Sequence, residues 1–433
     1  ALMTRALGAE QFGWYVTAIS FLQFVGILID FGLIPVTAQM LGEGKYEEKK
    51  LVQNLLGFRF VTAIIFLGIA PLIALFFPYN TEIKIAVGFT SISFLAVAMN
   101  QVLVGYYQKQ LKMYAQAIGE VIGRVALVAG LFLVMKFGYG FLPVMSIVTL
   151  GSVVYTLVLW MYLIRDRVSG FAFDATIWKE ILKKSWPIAI SIIFNVVYLK
   201  GDTILLSLYR TQTEVGLYGA AYRVIDILAQ TAMMLMGVML PLLAARWISN
   251  KQEFQHRYHQ SFESLMLLAV PMLVGLLVLA KPIMILVAGQ DFASAAPILQ
   301  ILSIAVVGVY LGAIFGHTAV AIDKQKQTMW IYITDAIITL IGYLIFIPRY
   351  GMMGGAWMTV FSELYAGILL WIVIHRYVQT HISFKQFGKI ILGSLIMGAV
   401  LLALSTFHVL LLVAIGAIVY GSVLYAFKGF SKK

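Results

Sequence analysis

The chain has 433 residues, 61% of them hydrophobic and 12% charged, with a mean hydropathy of +0.93 and a formal net charge of +12. A soluble domain is about 45–50% apolar and about 25% charged, so this chain has too little polar surface to coat a water-soluble globule of its size. The basic excess points to membrane-adjacent loops and not to a nucleic acid, because no basic, aromatic-interleaved segment outside the apolar runs is long enough to hold one.

Apolar runs of about 20 residues call for spanning helices. Lipid offers no partner to backbone N–H and C=O groups, and the period-two alternation that a membrane barrel needs is missing. Ala1 to Gly8 reads as the end of a first helix whose start is missing. The runs then fall at residues 13–40, 51–77, 82–107, 111–136, 141–165, 185–208, 214–245, 261–288, 295–320, 327–348, 353–375, 388–405 and 408–427. The predicted fold is an all-α polytopic membrane protein with two pseudo-symmetric six-helix bundles and two C-terminal helices. Residues 1–165 form the N-terminal bundle, its first helix mostly missing, and 166–184 a cytoplasmic amphipathic linker. Residues 185–377 form the C-terminal bundle, and 388–427 the two extra transmembrane helices. In the linker, Phe171, Phe173, Ile177, Trp178, Ile181 and Leu182 recur at roughly helical spacing among charges, the pattern of a helix lying in the cytoplasmic interface.

The connections alternate in charge. One side holds twenty-one basic residues, from Lys45, Lys49 and Lys50 through Lys179, Lys183 and Lys184 to Lys432 and Lys433. The other holds six: Arg5, Lys84, Lys136, Arg210, Lys281 and Arg349. By the positive-inside rule both termini are cytoplasmic, in a multi-pass protein of the cytoplasmic membrane.

The halves resemble each other. Phe12-Gly13-Trp14-Tyr15 matches Val215-Gly216-Leu217-Tyr218, and Leu33-Ile34-Pro35 matches Met239-Leu240-Pro241. Lys136-Phe137-Gly138 matches Arg349-Tyr350-Gly351, and the following helices end near Arg165 and Arg376. Six helices per repeat insert both halves in the same orientation, an arrangement common in secondary transporters. Pro35 and Pro241 are matched bending points or simply prolines that membrane helices tolerate.

Ionisable groups in a span cost about 2.5–3.5 kcal/mol each on the insertion scale, so they face a cavity or a partner. The spans contain Asp30, Arg59, Glu120, Arg124, Lys200, Asp202, Arg223, Asp226, Asp335 and Glu363. Glu120 and Arg124 are spaced i,i+4, and Arg223 and Asp226 i,i+3, so each pair can meet on one helix face. Against that structural reading stands the set of four cations at stepped depths, Arg59, Arg124, Lys200 and Arg223, which favours a positive cavity for an anionic substrate. His317 reads as a packed or hydrogen-bonded histidine. No GxxxxGK[ST], HExxH, GxSxG or Cys/His cluster occurs, so the chain reads as a transporter without cofactor or metal, and not as an enzyme. Its energy comes from an ion gradient, the membrane potential or the substrate gradient.

The stretch Arg5-Ala6-Leu7-Gly8-Ala9-Glu10-Gln11-Phe12-Gly13-Trp14-Tyr15 resembles the R-x-LG-x-x-x-FG-x-Y segment of polysaccharide-unit flippases. Asp202 to Ser207, followed by Val215-Gly216-Leu217-Tyr218-Gly219-Ala220-Ala221-Tyr222-Arg223, is similar to the same family's seventh-to-eighth helix junction. These are O-antigen flippases and their relatives in the multidrug/oligosaccharidyl-lipid/polysaccharide exporter superfamily. The resemblance implies two six-helix bundles forming a V, and movement of an undecaprenyl-pyrophosphate-linked oligosaccharide from the inner to the outer leaflet. It also implies that Arg59, Arg124, Lys200 and Arg223 engage pyrophosphate or acidic sugars. Asp30, Glu120, Asp202, Asp226, Asp335 and Glu363 are the candidates for coupling protons or Na⁺, and internal duplication makes a monomer sufficient. The rivals are a lipid II flippase and a multidrug exporter, the latter expected to have an acidic cavity. A membrane O-antigen polymerase or ligase would need a large external loop, and the longest outer connection is about ten residues.

Overall fold

The computed structural model describes residues 2–30, 33–378 and 384–427, without the side chains of 27–30, 34, 35, 38, 66, 187–199, 384 and 385. Every regular element among the described residues is helical. In chain order they are α1 Leu2–Asp30, α2 Leu33–Glu43, α3 Glu48–Leu75, α4 Thr81–Lys109, α5 Met113–Lys136, α6 Phe141–Arg165 and α7 Ala175–Tyr209. There follow α8 Gln212–Ser249, α9 Lys251–Ala288, a short 3₁₀ turn at Gln290–Ala295, α10 Ala296–Ala321, α11 Gln325–His375, α12 Phe384–Ala403 and α13 Val409–Ala426. Ten helices among the described residues are long and apolar enough to cross a membrane. The chain divides into two compact units, Leu2–Gly216 and Leu217–Lys433.

In the first unit, α1 is interrupted at Gly8 (φ 67°, ψ 179°), which sets residues 2–7 apart as the sequence anticipated. Positive φ favours glycine because no Cβ obstructs it. The run read as 13–40 is built as the rest of α1 followed by α2. Asn80 caps α4, its side chain accepting from the Ile83 N–H at 2.8 Å. Helices α5 and α6 meet through small residues. A Cβ on Gly123 would lie 2.8 Å from the Gly151 carbonyl, the close backbone approach that small residues permit in membrane bundles.

The linker is helical only in its second part. Residues 166–174 run without regular structure, and from Ala175 the chain continues without a break into the span, making one helix of 35 residues. Part of its apolar side is covered by protein, with Ile177 and Ile181 buried in the core that Leu55, Leu56, Val102, Tyr107, Leu159 and Leu163 share, while Phe171, Phe173 and Leu182 stay exposed. Trp178 packs edge-on against Phe58 at 5.5 Å, and Phe171 lies 5.1 Å from Phe60. A Cβ on Gly57 would overlap the Ala172 carbonyl, so only glycine lets the linker backbone lie on α3. Amphipathic spacing records which side is covered, not what covers it.

The repeat has a structural counterpart inside this unit. A Cβ on Gly13 would overlap the carbonyl of Gln212, and one on Gly216 would overlap the carbonyl of Ala9. Each glycine therefore sits against the residue four positions before the other, and the two glycines are themselves 203 positions apart, the offset of the first matched motif. Thr17 Oγ1 donates to Gln212 Oε1 at 2.6 Å beside the crossing.

In the second unit, α11 folds back on itself at Gly351 (φ 57°, ψ −139°), so the runs read as 327–348 and 353–375 are two limbs of a tight helical hairpin. Gly342 receives Met358, and Gly354 abuts the Phe346 carbonyl. Helix α10 packs on the hairpin through Gly308, where a Cβ would come 2.6 Å from the Glu363 backbone. Helices α12 and α13 dock on α9, tied by a hydrogen bond from Tyr420 Oη to the Leu267 carbonyl at 3.0 Å.

Candidate substrate and coupling sites

The four predicted cations have four different settings. Arg59, on α3, is 2% exposed. Its Nε donates to the Ala98 carbonyl at 3.1 Å and its Nη2 to Gln101 Oε1, so the guanidinium holds α4 instead of facing open space. Arg124, on α5, is highly exposed and pairs with Glu120 on its own helix, Nη2 to Oε1 2.6 Å. Lys200, on α7, is half-buried and makes no ion pair among the described residues. Arg223, on α8, is exposed, and Asp226 one turn away is half-buried without pairing to it. The stepped set thus separates into one cation anchored on a neighbouring helix, one neutralised along its own helix, and two without an acid.

The acids separate as well. Asp30 lies outside the described side chains. Asp202 is 1% exposed and accepts from the backbone N–H and hydroxyl of Thr203 at 2.5 and 3.1 Å. Asp335 is 2% exposed on the first limb of α11. Its Oδ1 accepts from Ser362 and Thr339, each at 3.0 Å, and its Oδ2 from Ser362 at 3.1 Å. Glu363 follows Ser362 on the second limb and is half-buried. The hairpin register continues the polar line. Tyr365 Oη donates to Thr334 Oγ1 at 3.0 Å, and Thr359 Oγ1 lies 3.3–3.4 Å from the hydroxyls of Tyr218, Tyr222 and Tyr343. Hydroxyl dipoles alone offset little of the desolvation of a carboxylate, so burial of Asp335 is costly to the fold.

Spacing within one helix did not reveal two further groups. Asn100, on α4 beside Gln101, is 4% exposed with both amide atoms unpartnered. A buried polar group without a partner costs about 1–3 kcal/mol, so Asn100 is a polar group that packing among the described residues does not satisfy. Glu263, on α9, stands at the edge of an apolar run, where its charge is easily assigned to the preceding loop. His317 Nδ1 is 2.7 Å from the Ala313 carbonyl, a hydrogen-bonded setting one turn along α10. Among the described residues no three His, Cys, Asp or Glu side chains are grouped to hold a metal.

A rim of ion pairs fastens the linker. Lys45 meets Glu180 at 2.6 Å, Lys50 meets Asp174 at 2.9 Å, Lys184 meets Glu43 at 2.5 Å and Lys112 meets Asp166 at 3.0 Å. The Lys184 ammonium holds the Glu43 carboxyl below the usual carboxylate range. Lys50, with the Thr176 N–H, does the same for Asp174, and Lys45 with the Tyr46 hydroxyl for Glu180.

Residues 2–297, more than half of the chain, match the family described as polysaccharide biosynthesis protein. The chain belongs to that family. This polysaccharide biosynthesis protein is 24% identical over 409 residues to the probable low-salt glycan biosynthesis flippase Agl15 of Haloferax volcanii, covering 93% of the chain and 84% of the relative. Its fold is that of a lipid II flippase MurJ in an inward closed conformation, with TM-score 0.76, 18% identity, and 98% and 97% of the two chains covered. An inward-facing multidrug resistance MATE family transporter of the MOP superfamily follows, with TM-score 0.68, 13% identity, and 87% and 94% covered. The expected family and the all-α multi-pass membrane fold are thus both found.

Proposed function

We propose that this polysaccharide biosynthesis protein is a flippase that carries a lipid-linked oligosaccharide, joined to its carrier by pyrophosphate, from the inner to the outer leaflet of the cytoplasmic membrane. The observation that carries the reading is the family match over residues 2–297 on a chain whose fold is a transporter's. The likeness to a probable glycan biosynthesis flippase along 93% of the chain supports the glycan part.

Lys200 and Arg223, the two predicted cations that make no ion pair among the described residues, are the proposed phosphate contacts. Phosphate oxygens leaving water need charge-assisted donors, and a guanidinium supplies two in parallel. Arg59 is a positioning residue that fixes α4, and Arg124 acts weakly because Glu120 already neutralises it. Asp335 is the proposed coupling group. It takes up a proton or Na⁺ in one state of an alternating-access cycle and releases it in the other. Its hydroxyl partners lie on both limbs of the hairpin, so a change in limb register changes the ion's ligands.

The test is complementation of a bacterial host lacking its O-antigen flippase by the full-length protein. The expected result is restored surface polysaccharide and a fall in lipid-linked units accumulated inside. Arg223→Ala and Lys200→Ala should each lower rescue, and Arg124→Ala should leave most of it. A well-expressed protein that instead rescues a host lacking its lipid II flippase, or exports cationic drugs, would replace this reading with the corresponding rival.

A further inference from the structure

A cavity of about 380 Å³ opens in the second unit between α8, α9 and α12. Its polar side is formed by Gln260, Glu263 and Ser264 of α9 with Gln386 of α12, and its floor by Leu235, Met236 and Met239 of α8. Glu263 is half-buried and has neither a hydrogen bond nor an ion pair among the described residues. Its depth is set by sequence. Residues 265–288 of α9 are almost wholly apolar and span roughly 36 Å at about 1.5 Å per residue, enough to cross a hydrocarbon core of about 30 Å. Glu263 therefore stands at one edge of the apolar band, at the end where α9 carries Lys251 and Arg257 and α12 begins. An unpartnered carboxylate at that depth is costly unless something meets it.

From this cavity we infer a binding site for the primary ammonium of an aminolipid head group, with the start of the acyl chains on the methionine floor. The Glu263 carboxylate, the Gln260 carbonyl and the Ser264 hydroxyl are three acceptors for the three N–H donors of a primary ammonium. A quaternary ammonium has no such donors and is held by aromatic faces, and among the described residues no lining side chain is aromatic. A phosphate is less suited to the interior, because among the described residues no lining side chain is basic. A neutral sugar would use the amides and hydroxyls but leave the carboxylate without its counter-charge. Met236 and Met239 are unbranched and adaptable, suited to chains of varied shape.

The experiment reconstitutes the full-length protein in vesicles of equal phosphatidylethanolamine and phosphatidylcholine with matched chains, re-extracts it, and counts retained lipids by native mass spectrometry. The two lipids differ only in methylation of the nitrogen. The expected result is roughly tenfold enrichment of the ethanolamine lipid, the size of one charge-assisted hydrogen bond. Glu263→Gln should abolish the enrichment, as should Met239→Trp, which fills the cavity and keeps the carboxylate. Dodecylamine should displace the retained ethanolamine lipid. Equal retention on the unaltered protein, enrichment that survives either substitution, or failure of the amine to compete would each overturn the site. None of these outcomes depends on which substrate the protein moves.

Discussion

The basic rim of the first unit and the hairpin of the second both organise carboxylates, by opposite means. At the rim, Glu43, Asp174 and Glu180 are partly exposed, and each faces a lysine at 2.5–2.9 Å. In the hairpin, Asp335 is buried and meets only the hydroxyls of Ser362 and Thr339. Exposed pairs gain little, about 0–1 kcal/mol each, because water screens them and long side chains lose freedom. They trim a contact that packing already makes. A buried carboxylate without a cation is a standing cost to the fold, which is what makes Asp335 the acid proposed for coupling. The comparison teaches that partner type and burial together distinguish acids that charge alone does not.

The sharpest way to break the comparison is Asp335→Asn, which keeps the shape and removes the exchangeable charge. Ion-driven transport in proteoliposomes should be lost while the protein elutes and melts as before. Ser362→Ala should give a partial loss. Full activity of both would return Asp335 to a structural role. Next in size is Gly308→Val, which pushes α10 off the second limb at Glu363. Overpacking of this kind costs about 1–3 kcal/mol and should appear as a lowered thermal midpoint together with reduced transport. Gly57→Leu should detach the linker from α3 at a similar energetic cost, seen as a red shift of Trp178 emission against a Trp178→Phe background.

Glu180→Gln should be the mildest change, within about 1 kcal/mol by thermal melting. The rim also has a definite pH response. Its carboxyls are held below their ordinary values, so their contribution is complete above the unfolded carboxylate range, about 4, and is lost as pH falls through the lower folded values. Trp178 emission should therefore stay constant from about pH 5 to 8 and shift only below about pH 4. A shift near neutrality would mean that some other group fastens the linker.

The spans were legible because a 20-residue apolar run has few alternative meanings, and the repeat because glycine and proline keep their places when other residues drift. The packing of the linker on α3 was not legible because it depends on Gly57, Phe58 and Phe60, far away in sequence. Asp335 was visible as a charge in a span, but nine others were visible with it. What singles it out is Ser362, 27 residues on, and only the reversal at Gly351 brings the two into register. The different settings of the cations were not legible for a related reason, since depth along a helix does not say which neighbour waits there. Arg59 found Ala98 and Gln101 on another helix, and Arg124 found Glu120 on its own.

The paired glycines at 13 and 216 carry a consequence for how the two halves can diverge. In a homodimer, a residue on the two-fold axis faces its own copy, and one codon change alters both sides at once. Here the equivalent positions are encoded separately, and each presses on the backbone four residues before the other. A side chain gained at one position can be met by local rearrangement at the other, a route closed to a symmetric dimer. The two contacts are thus independently mutable, and the crossing is where asymmetry between the matched motifs can enter in small steps.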